Sequence, residues 1–390
     1  MVTRRSLLRG AAVAGTAAAV PLLAGRATGT SADPAAPRDA APLPLTVANR
    51  TGRFGNESVW LYIVGNDGQR QVRVTADGQL LPVAVSDNGP DGYTDYAIPM
   101  GSGDTTIPLP HMSGRIYVAL GDKLSFRAVQ DGNGNAALAY PAGWVESDPN
   151  YPVLHDCAEF TYNPQGMYCN TTMVDMFSVP LSIHLRGARD QTVGTLRDGA
   201  RERIFSALAA DDTFAPLVLD DLRVLAPGHG LDAGLFPGDY FDPYVDRVWD
   251  TFAGSDLVIT TNAGAFTGRV SGDQLVFTGP GTVSFARPPT RDVLFCDGAL
   301  RAPNDGMLGP VAAVLAAALN RTTALSHPGQ PTTDPAQFYR EEPAHHYSRI
   351  MHEESVDGRA YGFAFDDVAS FASYIEDGAP TAFTLTLTPF

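Results

Sequence analysis

Two carboxylates stand in apolar, β-prone surroundings in residues 157–177 of this sequence, CAEFTYNPQGMYCNTTMVDMF. Glu159 precedes Phe160, and Asp175 follows Val174. A carboxylate among apolar side chains costs desolvation free energy unless something uses it. Two carboxylates on one surface are what glycoside hydrolysis requires, because one acid protonates the leaving oxygen while the other activates water or attacks carbon. The alternative is a solvated sheet face that carries two acids by chance.

The side chains around the first acid alternate in character. As a strand, EFTYN places Glu159, Thr161 and Asn163 on one face and Phe160 and Tyr162 on the other. A carboxylate, a hydroxyl and an amide opposite two aromatic rings predict the floor of a sugar-binding groove above a core.

A hairpin around NPQGMYC would place both acids on one face if Glu159 pairs with Asp175 and the loop centres on Met167. Directly opposed Cβ atoms lie about 5 Å apart, and a carboxyl separation of roughly 5 Å favours retention of configuration, whereas roughly 6.5–9.5 Å gives inversion. Splayed side chains or a bulge would widen the gap, so both outcomes stay open. In this register Cys169 falls in the loop, and we expect no bridge to Cys157.

The elements that position these residues are mainly strands. Short β runs separated by Asp-Gly and similar turns begin at Leu45 and predict a sandwich or barrel, with VWLYIVG (59–65) as a central strand. Helical spacing at 194–212, 237–254 and 304–321, with a second small sheet between, indicates a mixed α/β portion. We therefore predict a β domain formed by 45–185 plus about 346–390, and an α/β domain at about 186–345.

The N-terminus predicts export. Arg4 and Arg5 precede an apolar run, the layout of a twin-arginine signal, which we assign to residues 1–32, followed by a Pro/Ala-rich linker at 33–44. The alternative is a membrane anchor, but Arg9, Pro21 and many small residues make a poor bilayer span. We expect an extracellular protein with no membrane association after signal removal.

The charge of the chain excludes some partners. Removing residues 1–32, which hold four arginines and no acid, would move the net charge from −16 to −20, and Lys123 is the only lysine. Such a surface repels nucleic acid and anionic lipid, whereas a neutral polysaccharide is accommodated. The three cysteines are an odd number and predict no disulfide framework.

Several segments together resemble glycoside hydrolase family 64, the bacterial β-1,3-glucanases that release laminaripentaose. They run through nearly the whole exported chain: EFTYN, NTTMVDMFSVPL, FDPYVDRVW, AALNR near 317–321 and YGFAFDDV near 361–368. The step from Glu159 to Asp175 matches the spacing of the acid and base of this family. VDMFSVPL and AYGFAFDDV also resemble segments of thaumatin-like proteins.

The resemblance implies roles for individual residues. Glu159 would be the general acid and Asp175 the general base of an inverting reaction, and inversion is preferred here on that ground. Thr161, Asn163 and Thr172 would contact the glucan. Tyr168 stands where the family tends to have a bulky aromatic residue and would stack on a sugar. Partial burial and a second carboxylate would raise the pKa of Glu159 so that it holds its proton, while Asp175 stays ionised.

Other candidates have structural alternatives. Asp366 would line an acidic sugar groove or contact calcium, or would be a turn carboxylate satisfied by backbone N–H groups. Trp144 would stack on a sugar, although a buried core position is the alternative for it and for Trp249. His345, His346, His352 and Glu353 match no metal-ligand spacing, and we expect neither metal nor cofactor.

The sequence thus predicts a β-rich, α+β protein: a thaumatin-like β-sandwich/barrel domain and a mixed α/β domain flanking an open groove. The function expected is hydrolysis of β-1,3-glucan of the laminarin or curdlan type by a secreted monomer. The alternative is a non-catalytic thaumatin-like glucan-binding protein, against which the paired acids argue.

Overall fold

Strands dominate the first half of the described chain, as the short β runs predict. The computed structural model describes residues 42–390, so the predicted signal at 1–32 and nearly all of the linker lie outside the described residues. The strands of this half are β1 Leu43–Asn49, β2 Val59–Asn66, β3 Gln71–Val74, β4 Leu80–Pro82, β5 Ile98–Pro99, β6 Thr105–Leu109, β7 Met112–Leu120, β8 Arg127–Gln130, β9 Ala136–Ala139, β10 Leu154–Asn163, β11 Gly166–Thr171, β12 Met176–Phe177, β13 Leu181–Arg186 and β14 Asp190–Val193.

Helices and shorter sheets follow. The remaining strands are β15 Val218–Leu219, β16 Arg223–Leu225, β17 Leu257–Thr261, β18 Gly264–Ser271, β19 Gln274–Thr278, β20 Thr282–Ala286, β21 Gly329–Gln330, β22 Tyr374–Asp377 and β23 Ala382–Leu387. The helices are α1 Ala200–Ala209, α2 Pro227–Asp232, α3 Asp242–Gly254, α4 Thr290–Phe295, α5 Leu308–Asn320 and α6 His346–Glu354.

Two large sheets form a sandwich. The first sheet has the order β14-β13-β23-β1-β6, and the second has the order β22-β11-β10-β7-β2-β3-β4, with β5 added to β2. In residues 42–390 neither sheet closes into a barrel, so of the two predicted architectures the sandwich is the one that forms. The C-terminal strand β23 lies between β13 and β1, which confirms that the chain end rejoins the β region.

Alternation along β10 separates the sandwich core from the polar face. Ala158, Phe160 and Tyr162 are buried between the two sheets, and each large apolar side chain buried there contributes roughly 1.5–3 kcal/mol. Residues of the other parity, Glu159 and Thr161, lie on the opposite face of the second sheet. β10 is central, with β7 on one side and β11 on the other, and the predicted central strand β2 also has neighbours on both sides.

A second core is built from the six helices and the sheet β20-β19-β18-β17-β21. It begins with Met173, Met176 and Phe177 and includes Phe365, so it draws on residues outside 186–345. The predicted domain boundaries themselves stay a prediction. A small sheet, β12-β16-β15, connects the chain that follows β11 to this core.

The predicted helices form at shorter lengths. α1 begins at Ala200 rather than at 194 because Gly199 takes a left-handed conformation with φ of 66°. α3 begins at Asp242, immediately before Pro243, where a proline is well tolerated. α5 is apolar and largely buried, as predicted. No helix within 42–390 has the length and apolar character needed to span a bilayer.

Candidate active site

Glu159 lies in the middle of the second sheet, between two polar strand neighbours. Its cross-strand partners are Arg115 on β7 and Asn170 on β11, and its exposed fraction is 5%. The predicted pairing of Glu159 with Asp175 is wrong, because the turn between β10 and β11 comes at 164–165 rather than around Met167.

Asp175 lies outside the strands, in the segment 172–175 that connects β11 to β12. Its backbone oxygen accepts a hydrogen bond from the N–H of Ala226 at 3.1 Å, just before α2. Its side chain is 14% exposed. The chain therefore turns away from the second sheet and presents Asp175 to Glu159 from the side of the second core.

Arg115 joins the two acids, and the sequence analysis missed it. Its Nη2 lies 2.8 Å from Oε1 of Glu159 and 3.5 Å from Oδ2 of Asp175, so these two oxygens can be no farther apart than the sum of those distances. Its Nη1 donates to the hydroxyl of Tyr117 at 3.2 Å. The sequence feature that could have indicated Arg115 is an arginine inside the apolar run GRIYVAL. The alternation of side chains along a strand places this residue on the polar face of the sheet.

His229 on α2 is the second residue that the sequence did not indicate. Its Nε2 lies 2.9 Å from Oδ1 of Asp175, and its side chain is 6% exposed. Nothing near PGHGLD suggested this role, because His229 is separated from Asp175 by 54 residues and the contact depends on the tertiary fold.

The two acids differ in pKa in the direction that acid–base chemistry needs. Burial raises the pKa of Glu159 above its ordinary value, an effect that Arg115 opposes and the charge of Asp175 reinforces. Burial also acts to raise the pKa of Asp175, but the hydrogen bond with His229 and the charge of Arg115 outweigh it and lower that pKa. The predicted split, a protonated Glu159 and an ionised Asp175, agrees with these directions.

A small cavity lies on the Asp175 side of the site. It offers about 20 Å³ to the centre of a water molecule, enough for one water. Polar groups among its walls could bind that water, and the lining residues are Arg115, Tyr117, Pro141, Trp144, His155, Asp156, Cys157, Thr172, Asp175 and Met176.

The predicted sugar-contacting residues lie along the same face. Thr161 hydrogen-bonds across to Ser113 at 2.9 Å and pairs with Tyr168 on β11, which is half-buried. Asn163 accepts from the N–H of Gln165 and helps to form the turn. Thr172 is buried beside the cavity.

Trp144 is half-buried against His229. The rings stack with their centroids 4.1 Å apart and their planes 21° apart, so one face of the indole is already covered. Trp249 is buried in the second core, which agrees with the alternative of a buried core position.

Asp366 cannot line a sugar groove in this structure, so that prediction is wrong. Its side chain is fully buried, pairs with Arg321 at 3.0 Å and with His352 at 2.9 Å, and accepts from the N–H of Gly362. YGFAFDDV forms turns rather than the end of a β run, which carries Asp366 into the interior. The alternative of a backbone-satisfied carboxylate describes it better.

The histidines of residues 345–352 have structural partners. His345 accepts from the N–H of Ser348 at the start of α6, and His346 lies between Asp211 and Glu342. Among residues 42–390, no group of three or more His, Cys, Asp or Glu side chains is arranged to hold a metal ion. Cys157 and Cys169 are buried and free, on strand positions of opposite parity, and Cys296 is free as well.

Comparison with known proteins covers nearly all of the described chain. The family model for glycoside hydrolase family 64, described as Beta-1,3-glucanase, matches residues 41–387. A glucan endo-1,3-beta-glucosidase from Cellulosimicrobium cellulans is 36% identical over 376 residues, which span 91% of this chain and 67% of that protein.

Solved structures share the fold. A laminaripentaose-producing beta-1,3-glucanase in complex with laminaritetraose superposes with a TM-score of 0.82 at 36% identity, covering 90% of this chain and 99% of the other. A family 64 beta-1,3-glucanase domain from Clostridium beijerinckii gives a TM-score of 0.79 at 27% identity, covering 90% and 98%.

Proposed function

The chain belongs to glycoside hydrolase family 64 and is a β-1,3-glucanase, and on that premise we propose that it cleaves laminarin- or curdlan-type glucan with inversion, Glu159 being the acid and Asp175 the base. The observation that carries the assignment of the acid pair is the shared Arg115, because it holds both acids at one site while their pKa values are displaced in opposite directions. The two oxygens that face Arg115 lie closer than the roughly 6.5 Å at which inverting pairs begin, so the proposal of inversion rests on the family resemblance and on the cavity beside Asp175.

In the proposed reaction, Glu159 gives its proton to the glycosidic oxygen as the bond to C1 breaks. Asp175 takes a proton from a water molecule, whose oxygen attacks C1 from the opposite face. Glu159 becomes an anion and Asp175 becomes neutral, so the pair carries one negative charge before and after the step. Arg115 faces that one charge throughout, and the acids return to their starting states by proton exchange with solvent.

The small cavity beside Asp175 supports a water-dependent single displacement. Inverting enzymes need room for a water between the base and the anomeric carbon, and this space lies on the base side of the site. We further propose that Thr161, Asn163, Tyr168 and Thr172 contact the glucan, and that Trp144 borders the site.

The product we propose is laminaripentaose, since a related glucanase of similar fold is described as laminaripentaose-producing. We also propose that a monomer acts outside the cell after twin-arginine export, on the basis of Arg4 and Arg5. Replacing both with lysine should retain the protein inside a bacterial host that has this export route; release at the wild-type level would contradict export by it.

The experiment that tests the mechanism is NMR analysis of the products during digestion of a linear β-1,3-glucan. Wild type should release short oligosaccharides whose new reducing ends are initially α. Glu159→Gln and Asp175→Asn should be folded and inactive. An initial β-anomer would show retention and overturn the mechanism, and an active Asp175→Asn would remove Asp175 from it.

A further inference from the structure

The two oxygens of Asp175 are held by side chains from different parts of the fold. Oδ2 faces Nη2 of Arg115 on β7 at 3.5 Å, whereas Oδ1 faces Nε2 of His229 on α2 at 2.9 Å. An ionised carboxylate only accepts hydrogen bonds, so Nε2 must carry the proton. The contact with His229 is the shorter of the two and fixes one oxygen directly.

The imidazole of His229 has little freedom to move. Trp144 stacks on it at 4.1 Å, and Phe295 meets it edge-on at 5.5 Å. Trp144 in turn lies in the segment after Ala142, which Arg223 ties to the second core through hydrogen bonds to Gly143 O and Val153 O. A Cβ at Gly143 would lie 1.8 Å from Nη1 of Arg223, so a larger residue there would displace the guanidinium.

We propose that His229 is a positioning residue for the general base: clamped between Trp144 and Phe295, it holds the Asp175 carboxylate in the orientation from which the carboxylate accepts a proton from water. This inference rests on the proposed function, in which Asp175 is the base. His229 itself exchanges no proton with substrate. Its donated hydrogen bond also favours the ionised form of Asp175, which is the form a base requires.

The electrostatic surroundings agree with this role. Burial would raise the pKa of Asp175, and the hydrogen bond with His229 is the first of the interactions that bring it below its ordinary value. The titratable and charged groups around Asp175 come from four elements: Arg115 and Tyr117 on β7, His155, Asp156, Cys157 and Glu159 on β10, His229 on α2 and Tyr347 on α6. Only Arg115 shares the pKa-lowering role, and it also acts on Glu159.

The test compares His229→Phe, which removes the donor, with His229→Gln, which offers an amide donor in its place. His346→Gln is the matched control, because His346 is stacked on Phe214 and hydrogen-bonded to Asp211 at 2.9 Å, in a comparable setting away from the two acids. The measurements are kcat and KM on soluble β-1,3-glucan across pH, with circular dichroism and thermal unfolding of each variant.

We expect His229→Phe to lower kcat roughly ten- to a hundredfold, the loss typical of a hydrogen bond to a charged group, with little change in KM. The acidic limb of kcat/KM should move to higher pH, because Asp175 becomes easier to protonate, while the basic limb stays in place. His229→Gln should recover part of kcat, and His346→Gln should leave both limbs unchanged.

The proposal is overturned if folded His229→Phe keeps wild-type kcat and an unmoved acidic limb, or if His346→Gln shifts that limb equally. Asp175→Asn distinguishes a failure of the proposed function from a failure of the positioning role of His229. If that variant is active, the proposed function fails; if it is inactive while both His229 variants behave as wild type, only the positioning role fails. Should His229→Phe not fold, the kcat and acidic limb of His229→Gln decide the question in the same way, against wild type and His346→Gln.

Discussion

Arg115 and Glu159 face each other across β7 and β10, and Oε1 of Glu159 lies 3.0 Å from Nε and 2.8 Å from Nη2 of the guanidinium. The other oxygen, Oε2, accepts a long hydrogen bond of 3.4 Å from Nδ2 of Asn170. Because Oε1 accepts from the guanidinium, we infer that Oε2 carries the proton in the proposed acid role of Glu159. Arg115 fixes the side chain through the oxygen that does not deliver it.

The pH profile of the wild type should be bell-shaped. Activity should fall as pH drops through the lowered pKa of Asp175, because the base becomes protonated, and as pH rises through the raised pKa of Glu159, because the acid loses its proton. The limbs of kcat/KM should therefore enclose an interval wider than the ordinary carboxyl values would give. A profile with no basic limb would contradict Glu159 as the acid.

Replacing Arg115 should move both limbs of the pH profile of kcat/KM. Its charge lowers the pKa of Glu159 and of Asp175, so Arg115→Gln should shift the acidic and the basic limb to higher pH. Because this variant leaves two buried acids without their cation, we expect a loss of stability of about 3 kcal/mol near neutral pH, measured by urea unfolding. Movement of only one limb would show that Arg115 acts on one acid alone.

Asp366 should matter for stability and not for catalysis. Asp366→Asn removes the anion from a buried pair with Arg321 and His352, which should cost about 3–5 kcal/mol of unfolding free energy. KM for glucan should be unchanged. The control, Arg349→Gln, breaks an exposed pair with Glu353 and should cost less than about 1 kcal/mol. A raised KM with unchanged stability would restore Asp366 as a substrate contact.

Asp156 should make the protein less stable as pH rises. It is buried and accepts from the N–H groups of Cys157, Ser178 and Val179, and burial raises its pKa from 3.8 to about 7. A carboxyl that binds its proton more tightly when folded stabilises the fold fully below pH 3.8, and this contribution is lost as pH rises through about 7.

The size of that effect follows from linkage and reaches up to about 4 kcal/mol. Asp156→Asn should be less stable than wild type at low pH, since it loses one acceptor oxygen, but its unfolding free energy should change less between pH 4 and pH 7. Parallel pH dependences for the two proteins would exclude Asp156 as the source.

Tyr168 should contribute to glucan binding through its ring. Tyr168→Ala should raise KM roughly three- to tenfold, as expected for loss of about 0.5–1.5 kcal/mol of aromatic contact. Tyr168→Trp should lower KM or leave it unchanged. Tyr93→Ala, a half-buried tyrosine in the loop before β5, is the control, and an equal effect there would argue against a specific contact.

The sequence analysis predicted the elements better than the contacts between them. Alternation in EFTYN predicted the face that Glu159 occupies, because a strand repeats every two residues whatever surrounds it. The register was predicted wrongly because the turn lies at 164–165, which leaves Asp175 beyond the end of β11. The position of Asp175 depends instead on the pairing of the next residue, Met176, with Leu225 on β16. Local pattern carries no information on that distant partner.

The same reason explains the residues that were missed or misplaced. Arg115 and His229 reach the acids only through cross-strand and tertiary contacts, which span 44 and 54 residues of sequence. Asp366 was predicted at a groove, whereas Arg321, 45 residues away, neutralises it in the interior, and no local pattern indicates that distant partner.

The proposed acid, Glu159, and the proposed base, Asp175, are attached to different hydrophobic cores. Glu159 is fixed by β10 above the sandwich core, whereas Asp175 is held by Ala226, His229 and the flanking Met173 and Met176 of the second core. Regions of a protein open with different free energies, so partial opening of the second core would remove the base while the sandwich, and the acid with it, remained native. On warming, the enzyme would then lose activity before its β-sheets unfold. Hydrogen exchange at the amides of α2 would report the temperature at which the second core opens.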